Sequence, residues 1–225
     1  FRNVVAIELD EELAALTRKR LRDMTDSRAA TLNVIAADIL EFQPRELLEE
    51  AGMSQPYVVV GNLPFYITQP IVRHLLEANP SPVRIVVMVQ REVARRLVAG
   101  PGCKDYGLLT VLVAMRAETD LRLQVDRRSF RQVPGVDSAV VELRFADRPR
   151  YAVRDMACFE RLVRRAFGQR RKMLRNSLLG LNPHGGKAWL AELGRCAEIE
   201  LTRRPEELSI EEFVRLSDAS GDVPT

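Results

Sequence analysis

Residues 57–65 read Tyr-Val-Val-Val-Gly-Asn-Leu-Pro-Phe, a run of β-branched residues that leads into an asparagine and a proline. A short apolar run of this kind is typical of a strand buried on both faces, as in a parallel sheet. The run predicts a strand over 57–60, with Asn62 just beyond its carboxyl end. Ligands of open α/β sheets bind beyond the carboxyl ends of the strands, so this position is a candidate site.

Similar runs alternate with amphipathic helical stretches along the first hundred residues. We predict strands at 4–9, 32–36 and 84–89, and helices at 11–23, 45–51, 69–78 and 92–99. This alternation predicts an α/β fold, a parallel sheet covered by helices on both faces. Further along, a helix at 108–117 precedes two predicted strands, 121–125 and 139–145, which should form an antiparallel edge.

The last third of the chain lacks strand patterns and is predicted to be helical. The helices are expected at 155–167, 170–179, 187–194 and 210–217. Ser209 and Glu212 have the spacing of a capping box at the start of the last helix. We therefore predict two domains, an α/β domain over 1–147 and a small helical domain over 148–225.

The composition excludes several classes of protein. Among the 225 residues, 46% are hydrophobic and 29% are charged, as in ordinary globular proteins. No apolar run approaches the roughly 18 residues that a membrane helix needs. Three scattered cysteines and two histidines give neither a disulfide framework nor a metal-binding spacing. We expect reduced thiols, no bound metal and a cytoplasmic location.

Positive charge is concentrated between residues 161 and 175, which hold seven basic side chains and no acidic one. If one helix continued through Gly168, five of them would share a side of it: Arg161, Arg164, Arg165, Lys172 and Arg175. Such a stripe follows the phosphates of nucleic acids. In the alternative interpretation, some of these arginines are structural and pair with acids such as Glu160 or Glu198.

The motif Asn62-Leu63-Pro64-Phe65 carries the strongest chemical signal. The Asn62 side-chain oxygen and a neighbouring backbone carbonyl could together accept both hydrogens of an amino group. Pro64 fixes the backbone and has no N–H, which should leave the carbonyls free for a ligand. Phe65 could stack on a base flipped out of its helix. The alternative is a turn with a buried phenylalanine.

Acidic residues follow the first two predicted strands. Glu8 and Asp10 end the first, and a carboxylate there could accept hydrogen bonds from both ribose hydroxyls of a nucleotide-like ligand. Asp38 ends the second and could accept from an adenine amine. The alternatives are a solvated charge for Glu8 and a helix N-cap for Asp38.

Phe130 lies in Arg127-Arg128-Ser129-Phe130-Arg131, an aromatic side chain among arginines. It could supply a second stacking face for a base. A phenylalanine in the core is the competing interpretation.

Four motifs together resemble the small-subunit (16S) rRNA adenine N6,N6-dimethyltransferases of the KsgA type. They are residues 62–65, 104–109, 130–141 and 167–178, in the order that the family has them. The resemblance covers essentially the whole chain. It implies a Rossmann-like class I methyltransferase domain followed by a helical RNA-binding domain, with S-adenosylmethionine as the methyl donor.

The resemblance also implies residue roles. Glu8 would hold the donor's ribose, and Asp38 and Ile39 would lie at its adenine. Asn62 would contact both the methyl donor and the target adenine. Its side chain and the Pro64 carbonyl would accept hydrogen bonds from the target amine, while Phe65 and Phe130 would enclose the base. The positive charge of the basic segment, rather than the resemblance, predicts the RNA contacts: Arg164, Arg165, Arg170, Arg171, Lys172 and Arg175. The implied substrate is a pre-30S particle, bound by a monomer.

The sequence departs from the family pattern in three places. Gln132 replaces a proline, and Phe65 replaces the more usual tyrosine, which changes little because phenylalanine also stacks. The larger departure concerns the glycine-rich loop that holds the donor's methionine part, since the twelve glycines include no G-x-G-x-G run. The chain opens at the family's second strand, so we expect these 225 residues to be inactive by themselves.

Several functions remain open at this point. The favoured one is dimethylation of two adjacent adenines near the 3′ end of small-subunit rRNA. An erythromycin-resistance methylase of large-subunit rRNA is a rival of the same class, and a DNA adenine methylase would share only the Asn62–Phe65 motif. A non-catalytic RNA-binding factor of small-subunit assembly is the alternative from another class.

Overall fold

The computed structural model describes residues 3–23, 31–53, 56–146, 148–182 and 184–223. Internal contacts divide the chain into two compact units, Phe1–Ile85 and Val86–Thr225. The predicted boundary between an α/β domain and a helical domain falls at residue 147, which lies outside the described residues, and it stays a prediction.

The first unit alternates strands with helices, as the sequence predicts. Its elements are β1 (Asn3–Glu8), α1 (Glu11–Asp23), β2 (Thr31–Ala36), α2 (Pro44–Glu50), β3 (Val58–Asn62) and α3 (Thr68–Leu76). β1 and β2 pair in parallel, with Glu8 opposite Ala36 at their carboxyl ends. The predicted parallel arrangement is confirmed for this pair.

Helix α1 has the bounds that the sequence predicts because a side chain fixes its start. Asp10 Oδ1 accepts hydrogen bonds from the backbone amides of Glu12 and Leu13, at 2.9 and 3.0 Å. These amides have no partner within the helix, and an aspartate in this position satisfies them. Asp10 is thus explained as a helix cap.

Strand β4 (Arg84–Gln90) includes the point in the sequence at which the second unit begins, and two further strands follow it. The elements after β4 are α4 (Arg91–Val98), α5 (Leu108–Ala114), β5 (Ala117–Val125), β6 (Ser138–Phe145), α6 (Met156–Gly168), α7 (Leu174–Ser177), α8 (Gly186–Ala197) and α9 (Ile210–Asp222). The strand order is β4-β6-β5. β5 and β6 are antiparallel, with an irregularity between Leu121 and Leu123, so the predicted antiparallel edge is confirmed.

The C-terminal helices share a hydrophobic core with the region around α5. Phe159, Leu193 and Phe213 are fully buried in it, together with Tyr106 from the loop before α5. The Phe167 ring lies 6.0 Å from the Tyr106 ring and 5.7 Å from the Phe213 ring. The predicted capping box is confirmed, since the Glu212 amide donates to Ser209 Oγ at 3.2 Å. Among the described helices, none is long and apolar enough to span a membrane.

Candidate active site and nucleic-acid interface

Glu8 and Asp38 lie together at the carboxyl ends of β1 and β2. The backbone amide of Ala37 donates to the Glu8 carbonyl at 3.0 Å, which fixes the turn after β2 beside the end of β1. Both acidic side chains are half-buried. The two candidate ligand-binding carboxylates therefore belong to one edge of the parallel pair.

One oxygen of each carboxylate is used locally. Glu8 Oε1 accepts from the Asp10 amide at 3.1 Å, and Asp38 Oδ1 accepts from the Leu40 amide at 2.9 Å. Asp38 caps the short 3-10 helix Ile39–Glu41, so the alternative interpretation of this residue is confirmed. The second oxygen of each carboxylate accepts no hydrogen bond within the described part of the chain. Each carboxylate can therefore cap the backbone and bind a donor group at once.

Asn62 is the last residue of β3, and its side chain is exposed. Its amide makes no hydrogen bond to any other residue that the structure describes. An amide has one acceptor oxygen and two N–H donors. The Asn62 oxygen is consequently available to a ligand beyond the strand end.

The Pro64 carbonyl is not free, contrary to the sequence-based expectation. It accepts one hydrogen bond from the Ile67 amide, at 3.2 Å, and a second from the buried Thr68 hydroxyl, at 3.0 Å. Both bonds form because the chain turns into the 3-10 helix Phe65–Ile67 and then into α3. The Leu63 carbonyl accepts no bond from a described residue and lies next to Asn62 in sequence. It is the better candidate for the second acceptor.

The two candidate stacking residues lie in different units. Phe65 begins the 3-10 helix after β3, and Phe130 follows the 3-10 helix Arg127–Ser129. Both rings are half-buried, so neither is a fully enclosed core residue. A base enclosed between Phe65 and Phe130 stays a prediction.

The basic segment does not form one continuous helix. α6 ends at Gly168, and the backbone leaves the helical region at Gln169, where φ is −129° and ψ is 56°. The Lys172 amide closes a turn by donating to the Gln169 carbonyl at 2.8 Å, and α7 begins only at Leu174. The predicted helix over 170–179 and the single stripe through Gly168 are therefore wrong.

Three of the predicted RNA-binding arginines have structural contacts. Arg164 lies 3.7 Å from the Glu160 carboxylate, an acid that the alternative interpretation named. Arg170 Nε donates to Glu206 Oε2 at 3.1 Å. The Arg165 guanidinium packs over the backbone of Gly180, where an added Cβ would collide with it.

The remaining basic side chains of the segment are exposed, and no ion pair within the described residues involves them. They are Arg161 within α6, and Arg171, Lys172 and Arg175 beyond its end. The backbone beneath them is held, since the Arg175 amide donates to the Leu201 carbonyl at 2.9 Å. An exposed group of like charges on a fixed backbone suits phosphate binding.

Metal chemistry has no visible ligand set in the described ranges, since no group of three His, Cys, Asp or Glu side chains could hold an ion there. The groups placed at the candidate site are carboxylates, an amide, backbone carbonyls and aromatic rings.

The family model described as "Ribosomal RNA adenine dimethylase" matches residues 1–219. The chain belongs to this family. A Clostridioides difficile relative called "Ribosomal RNA small subunit methyltransferase A" is 41% identical, over 96% of this chain and 72% of the relative. The protein of that name from Bacillus licheniformis is 37% identical, over 99% of this chain and 75% of its own length.

Two solved structures agree with the fold of this chain. The 23S rRNA methyltransferase ErmE is 26% identical with a TM-score of 0.69, covering 98% of this chain and 82% of that one. A Plasmodium falciparum dimethyladenosine transferase is 22% identical with a TM-score of 0.76, covering 95% of this chain and 80% of that one. The predicted α/β methyltransferase class is thereby confirmed.

Members of the dimethylase family take methyl groups from S-adenosylmethionine. The two carboxylates at the ends of β1 and β2 fit this ligand. Glu8 and Asp38 each keep one oxygen that can accept a hydrogen bond from a hydroxyl or amino group of S-adenosylmethionine. The aliphatic side chain of Ile39 is half-buried beside Asp38, as a neighbour of an adenine ring would be. These residues would hold the adenosine part of the donor.

Sequence reasoning missed the roles of three residues: the free Leu63 carbonyl, the Thr68 hydroxyl that bonds Pro64, and Glu206, the partner of Arg170. Thr68 gave a weak signal, since a hydroxyl four residues after a proline can bond back to its carbonyl. Glu206 gave none, because it lies 36 residues from Arg170.

Proposed function

We propose that the protein dimethylates the N6 amines of two adjacent adenines near the 3′ end of small-subunit rRNA, during ribosome assembly. The observation that carries this proposal is the pair of unoccupied acceptors at the end of β3, the Asn62 side-chain oxygen and the Leu63 carbonyl. The substrate follows from the relatives, which are named as small-subunit rRNA methyltransferases.

The two acceptors suit the chemistry of an adenine amine. Its lone pair is conjugated into the ring, which makes the nitrogen a poor nucleophile. In the first methylation, hydrogen bonds from its two N–H groups to Asn62 and the Leu63 carbonyl favour a pyramidal nitrogen, whose lone pair then points away from the ring. In the second, the methylated amine keeps one N–H for one of these acceptors, and each methylation releases one amine proton to solvent. When bound, S-adenosylmethionine supplies an electrophilic methyl group. The protein thus accelerates the reaction through orientation and placed dipoles, without a base of unusual pKa.

Pro64 contributes stiffness to this arrangement. Its φ is −63° and ψ 131°, and its carbonyl is bonded to both Ile67 and Thr68. The backbone of Leu63 is therefore fixed between β3 and the following 3-10 helix. Phe65, which follows Pro64 directly, would contact one face of the flipped base; a base contact by Phe130 is a separate prediction.

Affinity for RNA would come from a different part of the chain. Arg171, Lys172 and Arg175 are exposed and can contact phosphates, which position an RNA without reading its sequence. Binding and chemistry should therefore respond to different substitutions.

A methylation assay tests the proposed function. An RNA hairpin that ends small-subunit rRNA is incubated with protein and donor, and the product is digested and analysed by mass spectrometry. We expect N6,N6-dimethyladenosine at both adjacent adenines, and none when guanines replace them. Dimethylation confined to a large-subunit hairpin would support the erythromycin-resistance function, to which the 26% identity with ErmE gives some weight.

A non-catalytic assembly factor is separated by the Asn62→Ala variant. A non-catalytic assembly factor would bind small-subunit particles and promote their maturation equally well with or without the Asn62 amide. For the proposed enzyme, the same variant would still bind and would lose methylation.

We also propose that these 225 residues alone bind the donor weakly, because no glycine-rich run is available to hold its methionine part. Calorimetry should detect little binding of S-adenosylmethionine, and micromolar binding would contradict this. Methylation assays therefore use the extended chain, defined as these residues preceded by the glycine-rich N-terminal segment of a relative. The proposed substrate in cells is a pre-30S particle in the cytoplasm, bound by one copy of the protein.

A further inference from the structure

The loop that carries Phe130 is fixed at its start by a capping interaction. Asp126 Oδ1 accepts from the Arg128 amide at 2.8 Å, which caps the 3-10 helix Arg127–Ser129. The Arg128 guanidinium folds back onto the same carboxylate through two bonds of 3.0 and 2.9 Å. These bonds hold the pKa of Asp126 well below its usual range. The positive charge of Arg128 is thus matched inside the loop.

The other end of the loop is fixed by Asp137. One of its carboxylate oxygens accepts from the Arg127 amide at 3.2 Å, and the other lies 2.9 Å from an Arg91 guanidinium nitrogen. The Arg91 amide also donates to the Asp137 carbonyl at 3.0 Å, which ties the loop to the start of α4. Both acids of residues 126–137 are therefore engaged.

Arg131 differs from the other arginines of this loop. It follows Phe130 directly and is exposed, and no carboxylate of the described residues lies within 4.0 Å of its guanidinium. Asp126 pairs with Arg128 and Asp137 pairs with Arg91, so two of the three loop arginines have no carboxylate partner among the described residues. Arg127 still donates to the Gly135 carbonyl at 3.4 Å, whereas the Arg131 guanidinium makes no hydrogen bond to a described residue. The Arg131 charge is adjacent in sequence to the ring that would contact the target base.

An enzyme that flips a base must also hold the backbone that the base leaves. Guanidinium groups are suited to this because they bind phosphate oxygens through two parallel hydrogen bonds. We propose that Arg131 binds the phosphate on one side of the target adenine and fixes the flipped nucleotide against Phe130. This inference rests on the proposed function, because it takes the base at Phe130 to be the target.

Neutral phosphates in the RNA test this contact. Hairpins are prepared with a methylphosphonate at either phosphate that flanks the target adenine, and their dissociation constants are measured with wild type, Arg131→Gln and Arg95→Gln. Arg95 is an exposed arginine of α4, so its variant removes the same charge from elsewhere. Melting curves check that all three proteins are folded.

We expect one of the two methylphosphonates to weaken wild-type binding about tenfold, as loss of one charged contact would. Arg131→Gln should bind unmodified RNA about tenfold more weakly, with a salt slope smaller by about 0.7. Its dissociation constant should not change further when that methylphosphonate is present. For Arg95→Gln, the methylphosphonate should weaken RNA binding as much as it does for the wild type. The inference would be overturned if each methylphosphonate weakened RNA binding by Arg131→Gln as much as it weakens binding by the wild type.

Methylation of the unmodified hairpin by the extended chain is measured in parallel. If the hairpin is methylated but the effect of the methylphosphonate does not depend on Arg131, only the proposed role of Arg131 fails. If the extended chain methylates neither this hairpin nor pre-30S particles, the proposed function fails, and the effect of the methylphosphonates then reports on a different RNA complex.

Discussion

Nε of Arg170 lies 3.1 Å from Oε2 of Glu206, although Arg170 belongs to the most basic segment of the chain. The same guanidinium donates to the Lys104 carbonyl, and the Gly102 amide donates to the Glu206 carbonyl at 2.7 Å. Arg170 and Glu206 thus connect the loop before α5 to the turn before α9. This arginine stabilises the second unit, whereas its neighbour Arg171 is exposed and unpaired within the described residues.

Arg170→Gln should reduce stability with little effect on RNA binding. Loss of a partly exposed ion pair and a carbonyl bond should cost about 1 kcal/mol and lower Tm by a few degrees. Arg171→Gln, the matched control, should leave Tm unchanged and lower the salt slope of RNA binding by about 0.7 to 0.9. Melting curves and titrations at several salt concentrations measure both. A lowered slope with unchanged Tm for Arg170→Gln would count against its structural role.

Asn62→Ala should slow methylation about 100-fold in the extended chain while RNA affinity stays within about twofold. The Asn62 oxygen acts on the amine as it reacts, and a placed dipole of this kind contributes to rate more than to binding. Single-turnover rates and RNA dissociation constants are the measurements. Equal losses in both would show that Asn62 binds RNA and does not act on the amine.

Phe65→Tyr should retain methylation, and Phe65→Leu should reduce it. Tyrosine keeps the aromatic face, while leucine removes stacking worth about 1–3 kcal/mol. The two variants are compared by kcat/KM for the hairpin. A leucine variant as active as the tyrosine variant would exclude stacking at this position.

Thr68→Val should affect stability and catalysis together. Thr68 is 1% exposed, and its hydroxyl is one of two donors to the Pro64 carbonyl. Its loss should cost about 1 kcal/mol in urea unfolding and slow methylation by loosening the Leu63 backbone. Thr68→Ser keeps the hydroxyl and should restore the rate. Unfolding curves and single-turnover rates test this, and a destabilised variant of normal rate would mean that the bond only stabilises the fold.

The Arg203–Glu212 ion pair predicts an acid-dependent loss of stability. Its hydrogen bonds lower the pKa of Glu212 from its ordinary 4.5, so the unfolded chain binds a proton more readily. The contribution is therefore complete above pH 4.5 and disappears as the pH falls through the lower folded-state pKa. Urea unfolding at pH 7 and at about pH 3 should show a smaller acid loss for Glu212→Gln than for wild type. Equal losses would contradict this assignment.

Local features of the fold were predictable from the sequence where side chains near in sequence determine them. The start of α1 follows from Asp10, and the start of α9 follows from Ser209 and Glu212. The single helix through Gly168 was wrong because the identity of the basic residues did not reveal the turn at Gln169.

The candidate site was predictable at Asn62 because the valine run predicts a strand over 57–60, and the observed β3 ends only two residues later, at Asn62. The second acceptor was wrongly assigned to the Pro64 carbonyl. Whether that carbonyl is already hydrogen-bonded depends on how the chain turns at Ile67 and Thr68, which the motif alone does not show. The structural role of Arg170 required a partner from a distant turn, which a charge pattern cannot contain.

Gly180 has a consequence for the basic surface, although it carries no charge. A Cβ there would lie 1.9 Å from a guanidinium nitrogen of Arg165. Because that nitrogen ends a flexible side chain, an alanine would displace the guanidinium at little cost to folding. The position of one positive charge is thus specified by a residue without a side chain. Homologues with a larger residue at this position should present a different charge pattern while keeping the same fold.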